Sequence, residues 1–297
     1  MRFEKPALTL TQQIQLLLSR GLRIDDEKEA EHYLRFIGYY RLSGYALPVS
    51  RKKSDGTHHF KDGASFTDIL NLYRFDRELR LLLNDAIERV EVAFRTCVSN
   101  HMSVRHGPHW FLQGKLFDGQ QQWKEFLQRI ATDLGFQEDG QLKDLKGRDV
   151  FIQHYFRKYT DPKLPPSWMV AEAVSLSCWS KVFQNIAGRE DRKAISQELG
   201  LNPEVLVSWM HAISYTRNIC AHHGRLWNRE FTIRPMIAKE HEGHLRQNGR
   251  FYAQAYIINL LLTRAAPQSM WWNRFVEHVA QHGFIDKAAM GFPPVVV

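Results

Sequence analysis

Residues 65–102 carry the feature that most constrains the fold, an uninterrupted apolar stripe at helical spacing. Its members recur every three or four residues, which places them on one face of an α-helix: Leu72, Phe75, Leu79, Leu83, Ala86, Val90, Ala93 and Cys97. The opposite face is charged and holds Arg74, Arg77, Arg80, Asp85, Glu88, Arg89 and Glu91. Because so long an apolar face must be covered, the stripe predicts the organising helix of a helical bundle.

Helical patterns fill most of the remaining chain. Periodicity and breaker residues predict further helices over 9–21, 24–45, 119–134, 147–159, 168–186, 190–199, 202–223, 249–264 and 268–282. Ser167 and Asn202 are predicted N-caps, and Gly224 could end the 202–223 helix. Residues 46–65 are predicted as a loop or irregular hairpin, and 291–297 as an extended tail. No alternating pattern is long enough for a sheet core, so we predict one all-α domain over 1–297.

The charge balance favours an anionic partner. The chain has 40 Lys and Arg residues against 32 Asp and Glu residues, a net charge of +8. Such an excess favours nucleic acid first and a membrane surface second. A basic protein surface without such a partner is an equally good interpretation of the charge alone.

Cysteine usage and hydropathy favour a cytoplasmic protein without disulfide bonds or a membrane span. Cys97, Cys178 and Cys220 lie far apart, which predicts neither a disulfide framework nor a zinc ribbon. The start of the chain lacks the apolar core of a signal peptide. The longest apolar run, 251–263, is interrupted by polar residues and is typical of a buried helix, not of a membrane span. We therefore expect a cytoplasmic protein with no membrane partner.

Residues 214–229, SYTRNICAHHGRLWNR, concentrate cationic and titratable side chains. The sixteen positions hold three arginines and two adjacent histidines, and no acidic residue. Arg217 and His222 form the pattern R-N-x-x-x-H, and on an uninterrupted helix this offset turns the two side chains about 140° apart. A site built from both needs long side chains that curl together, a break at Gly224, or a second copy of the segment.

An arginine and a histidine together have the chemistry to cut RNA without a metal. RNA carries its own nucleophile, the 2′-OH, and a histidine can move a proton to or from that hydroxyl or the 5′-oxygen leaving group. An arginine can clamp the phosphate and stabilise the charge of the transition state. Spacing alone is weak evidence, because a single histidine is more often an ordinary structural or surface residue.

The segment RNICAHHGRLWNR (217–229) closely resembles the signature of the Abi family, the abortive-infection proteins of the AbiD/AbiF type. The resemblance continues in the family's order through residues 5–22, 33–48, 73–96, 107–111 and 164–177. It covers roughly residues 5–230, whereas about 235–297 carry no motif of the family.

The Abi family belongs to the HEPN superfamily, many of whose members are metal-independent ribonucleases with an R-x(4–6)-H motif. The resemblance implies an HEPN-like core over 65–230, preceded by a helical region with a basic loop over 5–64 and followed by helices and a tail over 231–297. It also implies that the 2′-OH attacks the RNA backbone and leaves a 2′,3′-cyclic phosphate. A homodimer that brings two motifs into one cleft is implied as well.

The resemblance assigns roles to individual residues. Arg217 and His222 match the catalytic pair, and Asn218 matches the polar residue that commonly follows the arginine. His223 also fits the permitted spacing; we favour His222 because R-N-x-x-x-H most resembles the active members. Glu172 lies in a family-like stretch and could assist by orienting Arg217 or His222.

Two further carboxylates, Glu88 and Glu91, could orient the pair in the same way, although ion pairing between bundle helices explains all three equally well. A second R-x-x-x-x-x-H match, Arg95 to His101, is interpreted as mostly coincidental. The fourteen histidines form no ligand set with zinc spacing, so we expect no metal and no cofactor.

Basic residues around the motif are candidates for binding RNA. Arg225 and Arg229 would hold flanking phosphates, and Trp227 between them would stack on a base. A second basic cluster in the 46–65 loop could face RNA, although a solvated loop is the simpler interpretation: Arg51, Lys52 and Lys53.

Two functional hypotheses follow from the sequence. The first is an antiphage, toxin-like endoribonuclease that cuts RNA by 2′-OH attack. The alternative is an RNA-binding protein that does not cleave and instead holds a structured noncoding RNA partner. Binding by either would weaken steeply with salt.

Overall fold

The computed structural model describes residues 2, 6–53, 57–137, 142 and 148–294. It is 65% helical, which confirms the all-α prediction. The described residues form thirteen α-helices: α1 (Leu10–Ser19), α2 (Glu27–Phe36), α3 (Tyr39–Ala46), α4 (Phe66–His106), α5 (Gln120–Leu134), α6 (Val150–Lys158), α7 (Ser167–Ala173), α8 (Leu176–Gln184), α9 (Arg189–Glu198), α10 (Pro203–Ala221), α11 (Glu242–Leu245), α12 (Phe251–Ala265) and α13 (Trp271–Gln281).

A two-stranded antiparallel sheet lies in the segment predicted as a loop or irregular hairpin. Its strands are β1 (Ser50–Lys52) and β2 (His58–Phe60), with Arg51 opposite His59. Residues 54–56, which lie between the strands, are outside the described part of the chain. Short 3₁₀ helices span Leu47–Val49, Trp110–Leu112, Gly114–Leu116 and Lys239–His241.

The structure divides into two compact units, Met1–Arg80 and Leu81–Val297. The division falls within α4, so the first turns of this helix belong to the first unit and the rest to the second. The organisation of the chain as one domain, with an HEPN-like core over 65–230, stays a prediction. Residues 291–294 of the predicted tail are described, and 295–297 lie outside the described residues.

The first unit contains α1–α3, the hairpin and the start of α4. Thr9 caps α1 in a reciprocal capping box with Gln12. The single helix predicted over 24–45 is wrong, because Gly38 takes a left-handed φ of 91° and separates α2 from α3. A glycine accepts that conformation without steric cost, which allows the sharp change of direction.

A buried polar network lies in the first unit. Asp76 of α4 is fully buried, and its Oδ2 accepts a hydrogen bond of 2.6 Å from the Tyr45 hydroxyl. Arg80, one turn further along α4, forms an ion pair with the same Asp76 oxygen. Burial first, and the neighbouring Asp76 second, raise the pKa of Tyr45 above its ordinary value. The carboxylate is therefore doubly paired where it has no access to water.

The second unit is organised around α10, which packs against α8, α9 and α12. Its core is rich in aromatic side chains that are at most 1% exposed, among them Trp110, Trp179, Trp209 and Trp271. Thr216 of α10 donates a hydrogen bond of 3.0 Å to Gln254 of α12, in a buried position. Because Arg217 follows Thr216 directly, this bond fixes the start of the motif within the bundle.

The helix predicted over 168–186 is two helices, α7 and α8, separated at Val174 and Ser175. The prediction of Ser167 as an N-cap is also wrong. Ser167 is the first residue of α7, it is fully buried, and its hydroxyl lies 2.8 Å from that of Ser99 and 2.7 Å from that of Ser103. Its hydroxyl therefore joins α7 to α4 instead of capping a helix.

Within the described residues, no helix combines the length and the apolar character needed to cross a lipid bilayer.

Candidate functional site

The motif lies at the C-terminal end of α10, which stops earlier than predicted. The last helical residue is Ala221, His222 is the C-cap, and His223 has a left-handed φ of 56°. Gly224 N–H donates to Ile219 O at 2.7 Å, and His223 N–H donates to Cys220 O at 3.0 Å. This pair of bonds is a Schellman motif with a histidine in the position that usually holds glycine.

Gly224 is needed for a reason other than ending the helix. A Cβ on Gly224 would stand 2.9 Å from Ile219 Cγ2 and 3.2 Å from Ile219 O. Only glycine fits this close approach. The prediction that Gly224 ends the helix is therefore corrected, because the left-handed residue that stops it is His223.

The strained conformation of His223 gives a stability prediction. We expect His223→Gly to be about 1 kcal/mol more stable than His223→Ala, because both lose the imidazole but only glycine accepts a positive φ freely. Urea unfolding of the two variants measures the difference. The matched pair His211→Gly and His211→Ala, within α10, should show the reverse order, since glycine destabilises a helix interior. The same order at both positions would contradict the assigned backbone.

Arg217 contacts α4 of the same unit. Its Nε lies 3.8 Å from Oε2 of Glu91, and its side chain is 40% exposed. Glu91 itself is 8% exposed, so a nearly buried carboxylate holds a guanidinium whose far side faces solvent. The second carboxylate oxygen of Glu91 binds Arg95, one turn further along α4. Glu91 is thus shared by two arginines.

Of the two arginines that share Glu91, Arg95 is the more deeply buried. Its side chain is 15% exposed, and its Nε has no hydrogen-bond partner within the described structure. Burial lowers the pKa of Arg95 to about 10, the charge of Arg217 acts in the same direction, and Glu172 opposes both. The guanidinium stays protonated at neutral pH but is poorly solvated, which favours a further anionic partner.

We name the group formed by Glu91, Arg95, Glu172 and Arg217 the arginine cluster. The sequence offers Glu88, Glu91 and Glu172 as carboxylates that could orient Arg217 or His222, with ion pairing between bundle helices as an equally good explanation, and Glu88 is exposed. The structure places Glu91 against Arg217, whereas Glu172 is exposed on α7 and acts on Arg95. In the sequence, Arg95 lies in a family-like stretch and belongs to the mostly coincidental Arg95–His101 match. Its closeness to Arg217 follows from helix packing, which spacing along the sequence does not report.

Arg217 and His222 are not joined by a hydrogen bond or an ion pair in the described part of the chain. All residues from Arg217 to Ala221 are helical, so the offset of about 140° applies up to the C-cap. His222, His223 and Asn218 are all exposed. One copy of the chain therefore turns Arg217 and His222 to different sides of the helix end, and the roles of Arg217, His222 and His223 stay predictions.

The two arginines after the helix are partly buried. Arg229 donates to the carbonyl oxygen of Arg225 at 3.1 Å, and the Arg225 guanidinium lies 5.9 Å from the ring centroid of Trp227. Trp227 is only 5% exposed. The prediction that Trp227 stacks on a base is corrected, because its ring is part of the core and offers little surface to a ligand.

Trp168, on α7, is a tryptophan with an exposed ring. It is 48% exposed on α7, one helical turn before Glu172 of the arginine cluster. The ring stays exposed because α7 is short and only part of its surface is covered by α5 and α4. Trp168 is the better candidate for stacking on a base near the arginines.

His101 has a separate environment. Its Nε2 lies 2.9 Å from Oδ1 of Asp191, and Nε2 of His106 lies 3.0 Å from Oδ2 of the same residue. Burial tends to raise the pKa of Asp191, but the hydrogen bonds from the two histidines and the charge of Arg105 lower it. Since Arg95 binds Glu91 and His101 binds Asp191, the second motif match forms no arginine–histidine pair, in keeping with its interpretation as coincidental.

The basic loop cluster lies in the first unit. Arg51 and Lys52 belong to β1, Lys53 follows it, and all three are exposed. Arg51 forms an ion pair of 3.3 Å with Asp62, which is 99% exposed and is therefore weakly held. The cluster is available to an anion, and its predicted role in RNA binding stays a prediction.

Residues 32–228 match the model of the family described as Abi-like protein. The matched region spans about two thirds of the chain and includes the whole arginine cluster. The chain belongs to the Abi-like protein family. This confirms the resemblance drawn from the motifs, and the family connects the chain with abortive infection. Searches of curated proteins and of solved structures gave no match.

The C-terminal limit of the Abi-like match agrees with the distribution of motifs, and the N-terminal limit does not. The match ends at residue 228, just after the motif-bearing helix, and leaves out α11, α12 and α13. It begins at residue 32, so α1, which showed family-like residues, also lies outside it. The features shared with the family are therefore concentrated from α2 to the end of the motif.

Proposed function

We propose that this Abi-like protein is a metal-independent endoribonuclease of the HEPN type that acts in abortive infection. The observation that carries the proposal is the arginine cluster: two guanidinium groups share one nearly buried carboxylate beside a helix end with two exposed histidines. Guanidinium groups can bind the oxygens of a phosphate, and an imidazole can transfer protons near neutral pH. The family resemblance supplies the reaction class.

The reaction follows from the properties of these groups. His222 removes the proton from the 2′-OH of the RNA, or protonates the departing 5′-oxygen, and a second imidazole or water performs the other transfer. The 2′-oxygen forms a bond to phosphorus while the bond from phosphorus to the 5′-oxygen breaks. The products are a 2′,3′-cyclic phosphate and a 5′-hydroxyl. Arg217, with Arg95 beside it, stabilises the negative charge on the phosphoryl oxygens.

A second copy of the chain completes the site in this proposal. Within one copy Arg217 and His222 diverge, so two copies that face each other would place the arginine of one near the histidine of the other. The wide exposure of Asn218, His222 and His223 leaves this surface open to a partner. Arg225 and Arg229 would hold phosphates next to the cleaved one, and Trp168 would stack on a neighbouring base.

The test is incubation of the purified protein with total RNA and with a tRNA pool in the presence of EDTA. We expect cleavage under these conditions, with fragments that end in a 2′,3′-cyclic phosphate and begin with a 5′-hydroxyl. Cleavage only after addition of a divalent cation, or products with 3′-hydroxyl ends, would contradict the mechanism. Tight, salt-sensitive binding of RNA without cleavage would favour the alternative, an RNA-binding protein that holds a structured noncoding RNA.

A further inference from the structure

Tyr215 lies on the same face of α10 as the motif histidine, and the proposed reaction does not use it. His222 N–H still bonds to Asn218 O at 3.0 Å, so the helical register continues to the C-cap. The seven-residue separation therefore turns Tyr215 and His222 only about 20° apart around the axis and places them about 10 Å apart along it. Asn218 lies between them on the helix surface and is exposed. Arg217 points to the opposite side of the helix.

The Tyr215 side chain is held in place by the segment that follows the motif. Its ring packs edge to face against the fully buried Phe231, with the ring centroids 6.5 Å apart. The Thr232 hydroxyl donates a hydrogen bond of 3.1 Å to the Tyr215 hydroxyl, at an exposed position. Because Thr232 supplies the donor, the hydrogen of the Tyr215 hydroxyl has no acceptor among the described residues. A fixed and exposed O–H group is therefore available to an acceptor from outside the chain.

Arg229 adds a positive charge beside the Tyr215 hydroxyl. The hydrogen bond from Thr232 lowers the pKa of Tyr215, as do a hydrogen bond from Arg229 and its charge, whereas burial opposes them. No described carboxylate acts on this pKa, and Arg229 forms no ion pair with a described Asp or Glu residue. The sequence itself has no acidic residue between Glu204 and Glu230. A guanidinium and a hydroxyl donor side by side, without a carboxylate, favour an anionic ligand.

The distance from Tyr215 to His222 identifies the anion. In the proposed function His222 acts at the phosphate that is cleaved, and a single phosphate group cannot span the separation of about 10 Å along the helix. A neighbouring phosphate of the same strand can reach Tyr215 while the cleaved phosphate stays at His222. Because the strand is already held at one point, the second contact forms at a high effective concentration, an advantage that a free anion lacks. The observations therefore favour a phosphodiester of RNA over a small free anion.

We propose that Tyr215 and Arg229 together bind a phosphate of the RNA strand that neighbours the cleaved phosphate. Tyr215 donates a hydrogen bond to a phosphate oxygen, and Arg229 supplies the positive charge. The strand then follows the exposed face of α10 from His222 past Asn218 to Tyr215. This inference rests on RNA as the ligand of the proposed function, but it requires only that RNA binds, not that it is cleaved. Tyr215 is thus a substrate-binding residue away from the reacting atoms.

Fluorescence anisotropy with a labelled single-stranded 2′-O-methyl RNA of about twelve nucleotides tests the proposal. This strand lacks the free 2′-OH that would attack the phosphate, so the wild-type protein should bind it without cutting it. We expect Tyr215→Phe to weaken binding about tenfold at every salt concentration, because it removes one hydrogen bond to a charged group. Arg229→Gln should instead flatten the slope of log K against log salt by about 0.7, the change expected for the loss of one phosphate contact.

Thr232→Val is the matched control, because it breaks the same hydrogen bond between the two hydroxyls but keeps the Tyr215 hydroxyl. This variant should bind within about twofold of the wild type. Equal losses in Tyr215→Phe and Thr232→Val would show a purely structural role and overturn the proposal. Full affinity of Tyr215→Phe, or no binding by the wild-type protein, would also overturn it.

The cleavage assay separates this inference from the proposed function. On cleavable RNA, Tyr215→Phe should raise KM about tenfold and leave kcat unchanged, because the contact is equally strong before and during the reaction. If the binding results hold but the wild-type protein cuts no RNA, the proposed function fails and the phosphate site stands. If Tyr215→Phe does not fold, the salt slope of Arg229→Gln decides.

Discussion

Arg217→Ala and His222→Ala are each expected to reduce RNA cleavage at least about 100-fold. Arg217→Ala removes the exposed guanidinium that would stabilise the phosphoryl oxygens, and His222→Ala removes the proton-transfer group. Both side chains are at least partly exposed, so neither substitution should alter the fold. Single-turnover cleavage of a labelled RNA in EDTA measures the loss, and circular dichroism checks the fold.

The chain offers matched controls for both substitutions. Arg234→Ala removes an exposed arginine that pairs with Glu230, and His211→Ala removes an exposed histidine of α10; both should cleave at the wild-type rate. His223→Ala decides between the two adjacent histidines. Full activity of this variant supports His222 as the catalytic histidine. Loss of activity in His223→Ala but not in His222→Ala would identify His223 as the catalytic histidine. Unchanged cleavage by Arg217→Ala would refute the site.

Glu91 provides a separate prediction about positioning. Glu91→Gln keeps the size of the side chain but loses the charge that holds Arg95 and Arg217. We expect kcat to fall about tenfold or more, while the apparent affinity for RNA is unchanged or higher, since a competing carboxylate has been removed. An equal fall in RNA affinity with no change in kcat would contradict a positioning role.

The largest effect on stability is expected from Asp76→Ala, which should reduce the free energy of unfolding by about 3–5 kcal/mol. Asp76 is fully buried, accepts a hydrogen bond of 2.6 Å from Tyr45 and pairs with Arg80, which is 6% exposed. Its removal leaves a buried guanidinium without its carboxylate, and the cost of that uncompensated charge dominates. Urea unfolding followed by circular dichroism measures the change.

Asp85, on the same helix as Asp76, provides the control for this prediction. Asp85 also pairs with arginines, at 3.0 Å from Arg89 and 3.3 Å from Arg274, but its side chain is 42% exposed. Asp85→Ala should therefore cost less than about 1 kcal/mol. Equal effects of the two substitutions would show that burial does not set the strength of the Asp76 pair.

Much of the fold could be predicted because periodicity reports which face of a helix is buried. The stripe from Leu72 to Cys97 predicted α4. Its charged face was predicted less well: of the seven residues, Arg74, Arg77 and Glu88 are exposed, Asp85 and Arg89 are half-buried, and Arg80 and Glu91 are buried. Asp76 and Arg80 show where periodicity fails to predict burial. A charged residue can be buried when other side chains pair with it, as Arg80 and the sequence-distant Tyr45 do with Asp76. The breaks at Gly38 and at Val174 were missed because an apolar pattern continues across both.

The site could be predicted only in part. The motif identified Arg217 and both histidines, and the acidic residues of the family-like stretches pointed to Glu91. Arg95 and Trp168 were missed because their relevance depends on how α4, α7 and α10 pack, which no local spacing encodes. Trp227 was the best stacking candidate because it lies beside Arg225 and Arg229, yet the chain turns its ring inward after the left-handed residue His223.

The arginine cluster has a consequence for selectivity. At neutral pH its two guanidinium groups and two carboxylates sum to zero charge, so the empty site has no net attraction for passing anions. In the proposed function, the excess charge of +8 that attracts RNA therefore comes from elsewhere on the protein surface. In the proposed function a phosphate binds the exposed side of Arg217 while Glu91 still holds both arginines, and only a nucleic acid already held by several other contacts would bind there efficiently. Free nucleotides and inorganic phosphate would be poor inhibitors.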